Sequence, residues 1–183
     1  MSVLVIWASP NKDGLTAKAK EQIVKGMIDA GGEVDTIHLN RRKLNCCLTC
    51  GNGWGKCLAE GSCVIADDFP DIYNKLVAAD GIIWVTPVYW HDVAECLKAL
   101  LDRLRRCETA HNHYLKGKTN LLVACAGGTG LGAIQCLHNL EETLNHMGMR
   151  TIDRLPIIRF NQNYMIPALY NAGQTFVECL NNK

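Results

Sequence analysis

Five cysteines, Cys46, Cys47, Cys50, Cys57 and Cys63, fall within one 18-residue stretch of a chain of 183 residues. Ten cysteines placed at random would put about one there. Thiolates at such spacing bind metals or act as nucleophiles, and the cytosol keeps them reduced. The other five, Cys96, Cys107, Cys125, Cys136 and Cys179, sit in apolar surroundings and read as core, because a buried thiol behaves as a small hydrophobe.

Three further segments have the composition of binding loops. S-P-N-K-D-G-L-T, Ser9 to Thr16, leads into a helical pattern. Free N–H groups and the positive end of the helix dipole favour a phosphate there, with Ser9, Asn11 and Thr16 as side-chain donors and Gly14 allowing close approach. The loop is neither a Walker A motif nor G-x-G-x-x-G, so a dinucleotide fingerprint is absent. T-P-V-Y-W-H, Thr86 to His91, puts two aromatics and a histidine at a strand end. A flat ring system needs such apolar walls, with backbone N–H groups of Val88 to His91 for its polar edge. A-G-G-T-G-L-G, Ala126 to Gly132, suits close backbone approach to a ligand. Each loop alone also reads as an ordinary turn; together they favour a mononucleotide carrying a flat ring.

The elements that position these loops alternate. Strands are expected at Ser2–Ala8, a continuous apolar run, and at Glu33–Leu39, Gly81–Thr86, Thr119–Ala124 and Arg150–Ile158. Continuous apolar runs suit strands buried on both faces of a parallel sheet. Helical periodicity falls at Leu15–Ala30, Phe69–Ala79 (capped by Asp67-Asp68), Val93–Arg106, Ala133–Met147 and Ile166–Leu180, the last entered through Pro167. This rhythm predicts one α/β domain over residues 1–183, doubly wound, with five parallel strands in the order 2-1-3-4-5. Its ligand site then lies outside the carboxyl ends, at the switch point between strands one and three.

Composition narrows the function. Apolar residues are 48% of the chain, charged residues 20%, and the formal net charge is +1, a balance with no general pull toward nucleic acid or an anionic membrane. Arg41-Arg42-Lys43 is too short a run to alter that and reads as a solvated turn. No apolar stretch has the length of a membrane span, and Val3–Ala8 is too short for a signal-peptide core, so a cytoplasmic protein is expected.

The motifs S-P-x-x-x-G-x-T, P-V-Y-W and, ten residues on, L-K-A-L-L-D-R resemble the flavodoxin-like NAD(P)H-dependent FMN reductases. The cysteine loop ending in G-S-C-V-I-A-D-D resembles their iron–sulfur flavoprotein branch. The resemblance covers roughly Val3 to Gly132 and implies a flavodoxin-like fold and bound FMN. It implies that Ser9, Asn11, Gly14, Leu15 and Thr16 surround the FMN phosphate. Pro87, Val88, Tyr89, Trp90 and His91 would flank the isoalloxazine, and Gly127, Gly128 and Thr129 would close the other side. Leu15 stands where an asparagine is usual and His91 where a glycine is frequent. Lys98, Asp102 and Arg103 match the helix after the flavin loop, where structural and subunit-contact roles are expected.

The same resemblance implies a metal set of Cys47, Cys50, Cys57 and Cys63, with Gly51 to Lys56 as an insertion between the middle pair. Four thiolates are the number a 4Fe-4S cluster requires, and the glycine-rich insert is flexible enough to wrap around one. Tetrahedral zinc accepts the same ligands and is the lesser reading; plain reduced thiols also remain. The spacing of Cys107, His111 and His113 reads as a polar loop rather than a second site. The expected function is an FMN-binding oxidoreductase or electron-transfer flavoprotein with NAD(P)H or ferredoxin as donor, assembled as a homodimer or homotetramer. Two other readings stay open: a zinc-stabilised regulatory module without catalysis, and a thiolate enzyme using Cys47 or Cys50 with His91 as base.

Overall fold

The computed structural model describes residues 1–182. Five strands, β1 (Ser2–Trp7), β2 (Glu33–His38), β3 (Gly81–Pro87), β4 (Thr119–Ala126) and β5 (Arg150–Ile158), form one sheet in the order β2-β1-β3-β4-β5. Every pairing is parallel, with Ile6 opposite Ile37 on one side and Trp84 on the other. β3 and β4 are buried along their whole length, as their unbroken apolar runs require.

Six helices connect and cover the strands: α1 (Leu15–Asp29), α2 (Lys56–Glu60), α3 (Phe69–Ala78), α4 (Glu95–Cys107), α5 (Ala133–His146) and α6 (Gln162–Asn181). One apolar core packs α3, α4 and α5 against Leu4, Ile6, Trp84 and Leu122. The other packs α1 and α6 against Val3, Val5, Val85 and Val123, the alternate residues of the same strands. The two cores are the two faces of a doubly wound sheet.

Several details depart from the sequence reading. α6 begins at Gln162 and carries Pro167 in its interior instead of at its start. Asn161 explains the earlier start: its carbonyl accepts from Met165 N, while its side chain binds Ile158 N and Pro156 O, so the end of β5 is tied directly into the helix. A short helix, α2, forms inside the cysteine loop, and α4 continues into a π-helical turn over Glu108–Asn112. Cys107, Cys125 and Cys136 are buried as expected, but Cys96 and Cys179 are half-buried. Asp68 makes no side-chain cap of α3; Asp67 Oδ1 instead accepts from Phe69 N.

Candidate functional site

All four loops singled out by residue type lie at the carboxyl edge of the sheet, because parallel strands bring every strand-to-helix loop to that edge. After β1, Ala8 N donates to Val85 O, which holds the first loop onto β3. Ser9 and Thr16 are buried, and Asn11 organises the turn by accepting from Ser9 Oγ through its carbonyl and from Asp13 N through Oδ1. α1 then starts at Leu15 with Gly14 before it, no side-chain cap and no acidic residue in its first turn. Its first N–H groups therefore face outward uncapped, the arrangement that attracts a phosphate. His38, at the end of β2, stacks on Trp7 with ring centroids 3.8 Å apart, and its Nε2–H donates to Ser9 O at 2.7 Å. Neither residue stands out in the sequence as part of this loop; their role follows from strand pairing.

The second loop is a tight antiparallel turn in which Tyr89 and Asp92 exchange backbone hydrogen bonds. Trp90 and His91 at its apex both have positive φ, 49° and 68°. Val88 N donates to Cys125 O and Tyr89 N to Asp92 O, so these two N–H groups are engaged within the protein. Of the expected donors, Trp90 and His91 N–H keep no partner among the described residues. Trp90 is 98% exposed, and His91 rests against Gly132. A cleft runs between Val88, Tyr89 and the Ala126–Leu131 loop, so Gly127, Gly128 and Thr129 face Val88 and Tyr89 across it. Pro87 is buried at the end of β3, and Trp90 and His91 lie outside that cleft's lining.

In the cysteine loop, Lys43 N binds Asp68 Oδ2 and Asp68 N binds Lys43 O, while Asn45 N binds Asp67 Oδ2, so its two ends are clasped together. Thr49, Gly51, Asn52 and Gly53 all take positive φ, and Gly53 N donates back to Thr49 O. The insertion thereby reverses the chain, a conformation that glycine permits without Cβ strain. Trp54 lies against the guanidinium groups of Arg105 and Arg106, and Arg106 Nη1 donates to Gly53 O. The reversal delivers Cys57 onto α2. As a result Cys47, Cys50, Cys57 and Cys63 all line one pocket, whereas Cys46 is exposed.

The wall of that pocket comes from one face of α4: Arg103, Arg106 and Cys107, at positions i, i+3 and i+4. Burial pushes the Cys107 thiol up to about 12, reinforced by Cys57 and Cys63. Arg103, expected to have a structural and subunit-contact role, is 1% exposed and lies inside the protein. It forks onto Asp67 through Nη1 and Nη2 at 2.7 and 2.9 Å, donates to Asn45 O, and stacks over Phe69. Burial opposes ionisation of Asp67, but Arg103 and the N–H groups of Asn45 and Phe69 outweigh it and hold the carboxyl at about 2. Burial also opposes the Arg103 charge, while Asp67 and the Cys63 sulfur favour it, and the net shift is upward.

Among the described residues no three His, Cys, Asp or Glu side chains lie close enough to share a single metal ion. The four thiols surround a space and do not meet at one point. No histidine lines their pocket, which leaves the thiolate–His91 pairing without support. His111 turns to Asn112 and is exposed, so Cys107, His111 and His113 do not form a second centre. No helix among the described residues is long and apolar enough to cross a membrane.

The model of the NADPH-dependent FMN reductase family matches residues 1–162. The chain is 32% identical over 130 residues to an iron-sulfur flavoprotein of Archaeoglobus fulgidus, an alignment covering 71% of this chain and 56% of that protein. It is 34% identical over 142 residues to an iron-sulfur flavoprotein of Methanocaldococcus jannaschii, covering 76% and 70% respectively. Among solved structures, an NAD(P)H:quinone oxidoreductase from Methanothermobacter marburgensis superposes with a TM-score of 0.75 at 17% identity, over 96% of each chain. A flavodoxin from the domain Archaea gives 0.68 at 15% identity, over 99% of each. At such identities these two likenesses show the flavodoxin-like fold alone.

Proposed function

The chain belongs to the NADPH-dependent FMN reductase family, a family of flavin-dependent oxidoreductases, and from that premise we propose that it is an FMN-dependent electron-transfer oxidoreductase carrying a 4Fe-4S cluster. NAD(P)H is the preferred electron donor and ferredoxin the alternative. Bound FMN supplies hydride acceptance and one-electron release, and a four-iron cluster supplies single-electron transfer. The protein's own residues bind, orient and shield these groups. The uncapped start of α1, with buried Ser9 and Thr16, fits one phosphate, and the loop lacks a dinucleotide fingerprint. Val88, Tyr89, Gly127, Gly128 and Thr129 fit the two sides of a flat ring. Cys47, Cys50, Cys57 and Cys63 fit a cluster.

One observation carries the cluster reading. Despite the six residues that separate Cys50 from Cys57, all four thiols line a single pocket. Its site on the loop after β2, beside β1, favours electron exchange at the flavin edge of the sheet. The exposed Tyr89, Trp90, Leu131 and Phe160 near that edge support assembly with a second copy as a homodimer or a dimer of dimers.

Anaerobic purification tests the proposal. The expected preparation holds FMN, identified by chromatography, and about four irons per chain, the content of one cubane. It should be bleached by NADH, NADPH or reduced ferredoxin. Recovery of FAD alone would overturn the flavin assignment. Flavin with under about one iron per chain would overturn the cluster and return the loop to zinc or plain thiols.

A further inference from the structure

Arg103 is the least explained group in the cysteine pocket. Its guanidinium is fixed on three sides, by Asp67, by Asn45 O and by the Phe69 ring 4.4 Å away. Nε is its one nitrogen without any hydrogen-bond partner among the described residues, and its N–H is buried. Leaving a charged donor unsatisfied in the interior is costly, so such a group calls for an acceptor. Arg103 shares the pocket wall with the four thiols and lies within electrostatic reach of the Cys63 sulfur.

We propose that Arg103 is a potential-setting residue: its Nε–H donates to the sulfur of Cys63, or to the sulfide beside it, when the pocket holds its cluster. The inference rests on the cluster assignment above. One electron enters the cluster on reduction, no proton moves, and the guanidinium stays charged. A fixed positive donor at a ligand sulfur favours the more negative, reduced state, because hydrogen bonds to cluster sulfurs raise the reduction potential. Asp67 takes part by holding the fork in place, which aims Nε away from the carboxylate. Arg106 shares the wall, but its Nη1 is already given to Gly53 O.

The test is a redox titration of the anaerobically isolated protein and its Arg103→Lys variant, followed by cluster absorbance and electron paramagnetic resonance. Lysine keeps the charge facing Asp67 and loses the planar Nε donor. The expected result is about a tenfold loss in the one-electron reduction equilibrium, a downward shift of about 59 mV, with iron and FMN content unchanged. A cluster whose potential is the same in both proteins overturns the inference and leaves the proposed function standing; that is the result if a water satisfies Nε. Should the lysine variant fail to fold, protein labelled with 15Nε-arginine gives the answer without touching Arg103. The reduced cluster should show a 15N hyperfine coupling that persists in Arg106→Lys. Absence of that coupling, or its loss in Arg106→Lys, refutes the assignment. Unsubstituted protein lacking the iron overturns both the cluster and the role of Arg103.

Discussion

Removing the Asp67 carboxylate should loosen the whole cysteine loop. Asp67 Oδ2 accepts from Arg103 at 2.7 Å and from Asn45 N at 2.8 Å, and Oδ1 accepts from Arg103 at 2.9 Å and from Phe69 N at 3.1 Å. Side-chain exposure in the pair is 1% for Arg103 and 0% for Asp67. Asp67→Ala would leave the guanidinium buried without its counter-charge, a loss of about 3–5 kcal/mol. For a chain of this size, each kcal/mol moves Tm by about 2–4 °C. The variant should therefore melt at least about 6 °C below the parent. The carboxyl sits at about 2 when folded, below its unfolded value near 4. A depressed carboxylate stabilises the fold fully above the unfolded value and loses that contribution as pH falls toward 2. This acid-labile part is about 2–3 kcal/mol in full, of which about 1 kcal/mol is lost by pH 3. Urea titrations between pH 7 and pH 3 should show it in the parent and not in Asp67→Ala. Replacing both partners, Asp67→Leu with Arg103→Met, should cost less than the sum of the single changes, because no buried charge is then stranded. A loss under about 1 kcal/mol in Asp67→Ala, or strict additivity in the double variant, would refute this account of the pair.

Other positions give sharper separations between folding and binding. Gly61 ends α2 at φ 64°, and a Cβ there would collide with the side chain of Asn112, which donates to Gly61 O and Tyr73 Oη; Gly61→Ala should cost about 1–3 kcal/mol in urea unfolding. Tyr89 is 46% exposed and lines the cleft, so Tyr89→Ala should leave apo stability within about 0.5 kcal/mol while weakening FMN binding, read from quenching of flavin fluorescence. Asn11→Asp keeps the acceptor for Asp13 N but sets a carboxylate beside the phosphate position; FMN affinity should fall about tenfold or more with an unchanged melting curve of the apoprotein.

The cysteine loop illustrates why fold and site differ in how far they can be read. The central strands, the helix periods and the order β2-β1-β3-β4-β5 were legible because a parallel strand buried on both faces, as β3 and β4 are, must be largely apolar, and few topologies obey the connection rules. The start of α6 was not, since Asn161 overrode the local signal of Pro167 by binding both the strand end and the helix. At the flavin edge, the loops were identifiable from composition. Which of their N–H groups stay open was not, because Val88 and Tyr89 donate to Cys125 and Asp92, partners fixed by pairing at the end of β3 and by the turn.

The sequence by itself determined the sheet and the glycine-bearing loop before α1, and the family resemblance picked out the four cysteines that share a pocket. The first two depend on residue type and short-range spacing, which local sterics and burial translate directly into structure. Only the tertiary structure decided that Arg103, Arg106 and Cys107 form the pocket's wall, that Asp67 and not Asp68 binds the start of α3, and that His38 braces Ser9. The first and last are contacts between segments tens of residues apart, and the carboxylate of Asp67 is itself held by Arg103, 36 residues on. They depend on how α4 packs beside the loop after β2, and no local pattern of residues records that packing.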